Sequence, residues 1–322
     1  MCIRDSHESE FKFVIVSSGG GSNAIGSLLK VPGASNSILE AYIPYAKESL
    51  DFYLMKKPES YCSLDTTTRM AARAYSAAKK IDQKTNIEQL FGVAISATLS
   101  TNYEKKGSHR FHIAVQTRDF SQSISCILNK GQRTREEEEE LVTEFVIALI
   151  SDCCGFEFKY PEIKEDVEHI QIPAQKGWAD LMSEKIKFVT SSNQQPKLIF
   201  PGAFNPMHDG HIAMSELANK ELSEEVFFEI CIQNVDKPPL SYHQIKKTID
   251  QFTDSKNWVL TKAGKFSDKA KLFPNSTFII GADTLVRIFD ERFYASRREM
   301  MEEFEIFNAN NNNFLVFGRE YK

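Results

Sequence analysis

Apolar residues of the first half occur in short runs separated by amphipathic stretches. Buried or alternating runs predict strands at 11–18, 36–46, 90–99, 110–117 and 123–129. Helical spacing and good helix formers predict helices at 66–81 and 134–154. Alternating strands and helices are typical of an α/β domain, which we place at residues 11–157. The five glutamates at 136–140 are interpreted as a solvated helix face.

The second half repeats the alternation more regularly. Strands are predicted at 197–202, 226–235, 258–262, 277–282 and 313–318. Helices are predicted at 211–222, 242–253 and 284–303. This order implies a Rossmann-like, doubly wound parallel sheet, in which ligands bind beyond the carboxyl ends of the strands.

Domain boundaries follow from these patterns and from the polar segments between them. The second α/β domain occupies residues 197–322, and residues 158–196 are interpreted as a connector. The first ten residues are polar and lack the apolar core of a signal peptide, so we expect a disordered or extraneous tail at 1–10.

Composition limits the class of protein. A chain of 322 residues with 42% apolar and 26% charged residues suits two globular domains. A net charge of −5 gives no electrostatic support for a nucleic acid or membrane partner. Six cysteines without a Cys-x-x-Cys pair indicate a reduced, cytoplasmic chain. The oligomeric state stays open.

The stretch "LIFPGAFNPMHDGHIAMSELA" at 198–218 carries the clearest candidate chemistry. A strand runs into a turn and then a helix, whose free N–H groups favour a polyphosphate. Small residues at Gly202 and Ala203 let the backbone approach a ligand. Gly210 lets His208 and His211 face one spot, where imidazoles can donate hydrogen bonds to phosphate oxygens.

Histidine has other common roles besides phosphate binding. A His-x-x-His pair supplies only two metal ligands, and no third stands at suitable spacing, so no metal site is predicted. The remaining histidines are interpreted as surface or core residues: His7, His109, His112, His169 and His243.

"GAFNPMHDGH" resembles the Gly-x-Phe-x-Pro-x-His-x-Gly-His signature of the nucleotidyltransferase superfamily, which includes cytidylyltransferases and nicotinamide-mononucleotide adenylyltransferases. The resemblance implies that His208 and His211 hold ATP phosphates in catalysis, with Mg²⁺ accompanying the nucleotide. It also implies that the surrounding motif binds nucleotide, through Gly202, Ala203, Phe204, Asn205 and Gly210.

Further along, "FIIGADTLVRI" resembles the Gly-x-Asp segment that these enzymes place against the nucleotide. This makes Gly281, Asp283 and Thr284 candidate ligand contacts, although Asp283 could instead cap a helix. Lys237 and Arg319 each follow a strand and are candidate phosphate ligands. Relatives carry an Ile-Ser-x-Thr-x-x-Arg segment after the last strand, whereas this sequence stops at "GREYK", so we expect a C-terminally incomplete domain.

"VSSGGGSNAIGSLLKVPGAS" resembles the start of the CinA C-terminal family of nicotinamide-nucleotide amidases. In that alignment Ser17 takes the place of the nucleophile, with Ser18 as a competitor, and Tyr45 matches a family tyrosine. Leu50 stands where the catalytic lysine is expected. A leucine cannot accept the serine proton, so the resemblance implies a vestigial amidase site, unless Lys47 substitutes.

Both resemblances point to pyridine mononucleotides. The sequence therefore predicts transfer of a nucleotidyl group from ATP, or another nucleoside triphosphate, to a phosphorylated acceptor with release of pyrophosphate. Nicotinamide mononucleotide is the candidate acceptor. A nucleotide hydrolase using the same site and a non-catalytic pyridine-nucleotide-binding protein remain alternatives.

Overall fold

The structure is a computed structural model that describes residues 3–175, 177–233, 239–252 and 256–318. The chain forms two compact units. The first contains residues 1–179 and 236–244, and the second contains residues 180–235 and 245–322. The described residues 239–244 therefore belong with the first unit, although they lie within the domain predicted at 197–322.

The first unit is built on a mixed sheet. Its described strands are β1 Lys12–Gly19, β2 Ile38–Tyr42, β3 Leu90–Thr98, β4 His109–Gln116, β5 Phe120–Leu128 and β6 Val167–Pro173. They lie in the order β2-β1-β3-β4-β5-β6. β1 is parallel to β2 and β3, and the remaining pairs are antiparallel.

Helices cover both faces of this sheet. They are α1 Ile3–Glu8, α2 Asn23–Leu29, α3 Ala34–Ser37, α4 Lys47–Leu54, α5 Leu64–Ile81 and α6 Arg135–Cys153, and Ile87–Gln89 forms a 3₁₀ turn. Successive residues of β1 point to opposite faces, so Val14 packs with residues of α5 and Ile15 with residues of α6. The two cores sit on either side of one sheet.

Two segments of the first unit are more ordered than the sequence predicted. Residues 3–8 form α1 where a disordered tail was expected, because His7 is buried and its ring hydrogen-bonds to Ser37 Oγ at 2.6 Å and to the Leu28 carbonyl at 3.0 Å. β6 lies within the predicted connector and pairs with β5 at the sheet edge.

The interpretation of the five glutamates as a solvated face is wrong for two of them. Glu138 is fully buried and hydrogen-bonds to His109 Nδ1 at 2.7 Å. The Glu139 carboxylate accepts the Gly21 N–H at 2.9 Å, at the start of α2. These carboxylates fix loops of the first unit, which a run of identical residues does not reveal.

The second unit confirms the predicted doubly wound α/β sheet. Its described strands are β7 Phe188–Thr190, β8 Leu198–Pro201, β9 Val226–Cys231, β10 Asn257–Thr261, β11 Thr277–Gly281 and β12 Asn313–Phe317. Their order is β12-β11-β8-β9-β10-β7. All neighbours are parallel except β7, which runs antiparallel to β10.

The helices along this half of the chain are α7 Trp178–Met182, α8 Asp209–Leu222, α9 Tyr242–Ile249, α10 Phe266–Leu272, α11 Ala282–Ile288 and α12 Arg297–Ala309. The single helix predicted at 284–303 is wrong. It is interrupted by a 3₁₀ turn at Glu291–Phe293, because Asp290 caps that turn and Ser296 then caps α12. The short helix α10 was not predicted.

The order of the strands reverses between β8 and β11. From β8 the chain moves outward to β9 and β10, and then returns to the other side of β8 for β11 and β12. In doubly wound sheets, the crevice at such a reversal, beyond the carboxyl ends of the strands, is where ligands bind. The segments that follow Pro201 and Gly281 lie at this edge.

Candidate functional site

The turn after β8 is held by its backbone and by one aromatic anchor. The Gly202 N–H donates to the Glu229 carbonyl at 3.0 Å, which extends the pairing with β9. Phe204 has a left-handed φ of 43°, and its buried ring packs against Phe200 and Phe228 with centroids 5.6 and 5.2 Å away. The buried ring therefore ties the turn to the core.

Two glycines of the motif are required by close approaches. A Cβ at position 202 would lie 2.5 Å from the ring of Phe204, so only glycine fits beneath that ring. A Cβ at position 210 would lie 3.1 Å from His208 Nδ1. The glycines thus make room for the Phe204 anchor and for the first histidine, while Ala203 and Asn205 are exposed on the turn.

The two histidines stand together at the amino-terminal end of α8. His208 is the N-cap residue with extended backbone, and His211 lies one turn into the helix. Their rings stack with centroids 3.6 Å apart and planes inclined by 23°. The His208 N–H donates to His211 Nδ1 at 3.3 Å. Because Nδ1 of His211 is used as an acceptor, its Nε2 carries the proton of the neutral ring.

The local electrostatics favour an anion. Partial burial, together with the neighbouring His208, lowers the pKa of His211 from its ordinary value of 6.5. The ring of His211 is therefore neutral near pH 7 and donates one hydrogen bond. The positive end of the α8 dipole lies at the same place, so negative charge brought there is stabilised.

Gln251 braces the turn, and sequence reasoning missed it. Its Nε2 donates to the Phe204 carbonyl at 2.9 Å, and its Oε1 accepts the Met207 N–H at 2.8 Å. One side chain therefore clamps both ends of the segment that precedes His208. No sequence signal marks this residue, because it lies 44 positions beyond Met207.

The second predicted nucleotide segment follows β11. β11 and β8 are adjacent and in register, so Gly281, Asp283 and Thr284 reach the same sheet edge as the histidine motif. The alternative that Asp283 caps the helix is wrong. Gly281 is the N-cap residue of α11, and Asp283 lies in the first turn with an exposed side chain.

The structure does not describe two of the candidate phosphate ligands. Lys237 and Arg319 lie outside the residues that the structure describes. A cavity of about 410 Å³ lies at the amino-terminal ends of β8 and β9, lined in part by Lys197 and Glu224. The amino and carboxyl ends of parallel strands lie at opposite edges, so this cavity is not the site around the histidines.

The predicted vestigial amidase residues hold no nucleophile–base pair in the described part of the first unit. Ser17 Oγ is buried and donates to the Gly20 carbonyl at 3.2 Å. Ser18 Oγ donates to the Pro44 carbonyl at 3.0 Å. Leu50 is 1% exposed in the core, whereas Tyr45 is 68% exposed.

Lys47, the substitute base considered above, has its Nζ over the ring of Tyr61, 5.7 Å from the centroid. Both serine hydroxyls therefore donate to backbone carbonyls, and among the described residues neither is hydrogen-bonded to a basic side chain.

Residues 199–316 match the family model described as cytidylyltransferase-like. The predicted cytidylyltransferase-like domain is therefore found in the second half of the chain. A comparison with curated proteins finds no match. Within the described residues, no helix is both long and apolar enough to cross a membrane.

Several solved structures are similar to this chain. The competence/damage inducible protein CihA from Agrobacterium tumefaciens is 16% identical, with 47% of this chain and 90% of that chain covered and a TM-score of 0.38. A CinA superfamily protein from Klebsiella pneumoniae is 12% identical, with 48% and 93% covered and a TM-score of 0.38.

The nicotinic acid mononucleotide adenylyltransferase from Plasmodium falciparum, solved in complex with NaAD, is 14% identical. Its match covers 40% of this chain and 77% of that chain, with a TM-score of 0.25. CinA-type proteins and a mononucleotide adenylyltransferase are thus among the similar solved structures, and the family model covers residues 199–316.

Proposed function

We propose that the second unit transfers a nucleotidyl group from ATP, or another nucleoside triphosphate, to a phosphorylated acceptor. The observation that carries this proposal is the stacked pair of His208 and His211 at the start of α8, beside the reversal point of a parallel sheet. Nucleotidyl transfer needs positioning and charge stabilisation and no protein nucleophile, which suits a site made of imidazoles and backbone N–H groups.

In the proposed reaction, an oxygen of the acceptor phosphate attacks the α-phosphorus of the triphosphate. A new P–O bond forms, the bond between the α-phosphorus and its bridging oxygen to the β-phosphate breaks, and the electron pair leaves with pyrophosphate. His208 and His211 donate hydrogen bonds to the leaving oxygens as their negative charge grows. The turn at 202–207 holds the backbone close to the phosphates.

We assign Mg²⁺ to the substrate rather than to the protein. No group of three or more His, Cys, Asp and Glu side chains within the described ranges is arranged to hold a metal ion. Mg²⁺ is commonly bound by nucleotide phosphates and water, and in that form it would neutralise phosphate charge.

We propose nicotinamide mononucleotide as the acceptor. The support is the sequence itself, because each half resembles proteins that act on pyridine mononucleotides. The free thiols of the described chain suit a reducing compartment, and we place the protein in the cytoplasm.

Product analysis tests the proposal. The full chain is incubated with Mg²⁺, ATP and nicotinamide mononucleotide, and products are separated by chromatography. We expect equal amounts of pyrophosphate and dinucleotide. Phosphate or AMP without a dinucleotide would identify a hydrolase, and binding of ATP without any product would identify a non-catalytic nucleotide-binding protein.

For the first unit we propose that amide hydrolysis is lost. The Ser17 and Ser18 hydroxyls both donate to backbone carbonyls, and Leu50 offers no base. Ammonia release from nicotinamide mononucleotide that disappears in Ser17→Ala or Ser18→Ala would overturn this.

A further inference from the structure

A charged pair is buried beside a central strand of the second unit. Glu229 lies on β9 and Lys269 on α10, and their side chains are 1% and 5% exposed. Lys269 Nζ lies 2.7 and 2.8 Å from the two carboxylate oxygens of Glu229. Strand residues two apart point to the same face, so Glu229 shares its face with Phe227, which packs in an apolar core with Val259 and Ala270. The ion pair therefore interrupts an apolar layer.

Hydrogen bonds tie this pair to the end of β10 and to the loop that follows it. Thr261, the last residue of β10, donates its hydroxyl to Glu229 Oε1. Lys269 Nζ donates to the Ala263 carbonyl at 2.6 Å, and the Ala263 N–H donates to Thr261 Oγ1 at 3.2 Å. The Glu229 carboxylate is therefore fixed from β10 and from α10 at once.

The backbone of the same glutamate holds the start of the histidine motif. Glu229 pairs directly with Pro201, the last residue of β8. The N–H of the next residue, Gly202, donates to the Glu229 carbonyl at 3.0 Å. Gly202 begins the turn that leads to His208. The side chain and the carbonyl of Glu229 thus connect the buried network to this turn through a single residue.

Stability alone does not account for a charged pair at this place. The desolvation of two buried charges can exceed their mutual attraction, and apolar residues of similar volume are often equally or more stabilising. The neighbouring side chains of Phe227, Val259 and Ala270 show that apolar residues fit this face. An apolar pair cannot supply direction, because hydrophobic contacts are non-directional, whereas charge-assisted hydrogen bonds fix geometry. The pair therefore indicates a requirement for exact placement of Glu229.

We propose that Glu229 and Lys269 are positioning residues for nucleotidyl transfer. Lys269 fixes the Glu229 carboxylate, and the Glu229 carbonyl fixes Gly202. The turn that begins at Gly202 then places His208 and His211 against the leaving pyrophosphate. A displacement of about 1 Å at this turn can cost 10²-fold in rate. This inference rests on the function proposed above for the second unit.

The test is the full-length double variant Glu229→Met/Lys269→Met, in which two apolar side chains of similar volume replace the ion pair. No buried charge loses its partner in this variant, so it should unfold at a higher urea concentration than Lys269→Met alone. Its rate of pyrophosphate release at saturating ATP and nicotinamide mononucleotide should nevertheless fall by about tenfold to a hundredfold. ATP binding, measured by calorimetry, should weaken by about tenfold because the imidazole donors are displaced.

Lys265→Met/Glu303→Met is the matched control. It removes another ion pair of the same unit, 2.9 Å long, between the N-cap residue of α10 and α12. This control should keep the wild-type rate and ATP affinity. An unchanged rate and affinity in Glu229→Met/Lys269→Met, or equal losses in the control, would overturn the proposal.

A second pair of variants decides the question if circular dichroism shows that Glu229→Met/Lys269→Met does not fold. Thr261→Val removes the hydroxyl that donates to Glu229, and Thr261→Ser keeps it. Thr261→Val should weaken ATP binding by about threefold to tenfold, and Thr261→Ser should bind like the wild type. Equal ATP affinities of the two variants would overturn the proposal.

The two readouts separate this inference from the proposed function. If the wild type binds ATP and forms no dinucleotide, nucleotidyl transfer is wrong, and the ATP affinities of the variants still decide whether Glu229 and Lys269 position the turn. If the wild type forms dinucleotide and both double variants match it in rate and affinity, nucleotidyl transfer stands and the positioning role is wrong. Absence of ATP binding by the wild type would overturn both.

Discussion

The rings of His208 and His211 stack at a centroid distance of 3.6 Å, and the His208 N–H donates to Nδ1 of His211. The neighbouring His208 helps to lower the pKa of His211, and negative charge brought to the pair opposes that effect. The pair lies at the positive end of the α8 dipole and therefore favours a ligand that carries several negative charges. A triphosphate at the start of α8 meets that requirement.

His211→Ala should lower the rate of nucleotidyl transfer by about 10²–10³-fold, because a donor to the leaving pyrophosphate is lost. The rate is followed by pyrophosphate release at saturating ATP. His169→Ala, which removes an exposed imidazole from β6, is the control and should be unaffected. An unchanged rate in His211→Ala would remove this residue from the mechanism.

Gln251→Ala should raise KM for the triphosphate and lower kcat, because the backbone at Phe204 and Met207 loses its clamp. A misplacement of about 1 Å can cost 10²-fold in rate. Steady-state kinetics of this variant are compared with Gln194→Ala, which truncates an exposed glutamine of the same unit. Identical kinetics in the two variants would show that the clamp is not needed.

Gly202→Ala should destabilise the protein by about 1–3 kcal/mol, because the new Cβ would lie 2.5 Å from the Phe204 ring. Gly281 has open space around it, so Gly281→Ala should stay within about 0.5 kcal/mol of the parent in urea unfolding. If Gly281 lies against the nucleotide, the same substitution should weaken ATP binding in a stable protein. A destabilised Gly281→Ala protein would conflict with this arrangement.

Lys269→Met should lower the free energy of unfolding by about 3–5 kcal/mol, because the Glu229 carboxylate would be left buried without its cation. Lys269 Nζ lies 2.7 and 2.8 Å from the two carboxylate oxygens, and both side chains are almost fully buried. Lys246 and Asp250 form an exposed ion pair, so Lys246→Met should lower the free energy of unfolding by less than about 1 kcal/mol. Similar free energies of unfolding for the two variants would contradict this assignment.

The stability of the protein should fall as the pH drops from 7 towards 4, in part through His112. The unfolded ring takes up a proton near pH 6.5 and the folded ring only near pH 4, so the unfolded state binds more protons in between. His112→Asn should flatten this dependence by about 2 kcal/mol, after allowing for solvent screening. Urea unfolding at several pH values across this range measures the stability of the wild type and of His112→Asn. Parallel curves of stability against pH for the two proteins would refute the prediction.

The sequence predicted most of the regular architecture, because strands and helices carry periodic apolar patterns. It failed where order depends on a few distant contacts. The half-exposed edge strand β6 resembles a linker in composition, and α1 is ordered through the buried ring of His7. No local signal distinguishes such segments from a connector or a tail.

The candidate site was likewise predictable from the sequence only in part. The residues from Gly202 to His211 were predictable because a turn, close glycines and a helix start are all local features. Gln251 was not predictable, since its contact with the turn depends on the path of the chain through β9 and α9.

The most direct test of the central claim is the thermal stability of the wild type and of His208→Ala/His211→Ala in the presence of Mg²⁺ and ATP. At about 100 times its dissociation constant, a ligand bound only by the folded protein adds roughly 2.7 kcal/mol. We predict such stabilisation by ATP in the wild type and its loss in the double variant. Equal stabilisation of both proteins, or none in the wild type, would contradict the assignment of a triphosphate to the two histidines.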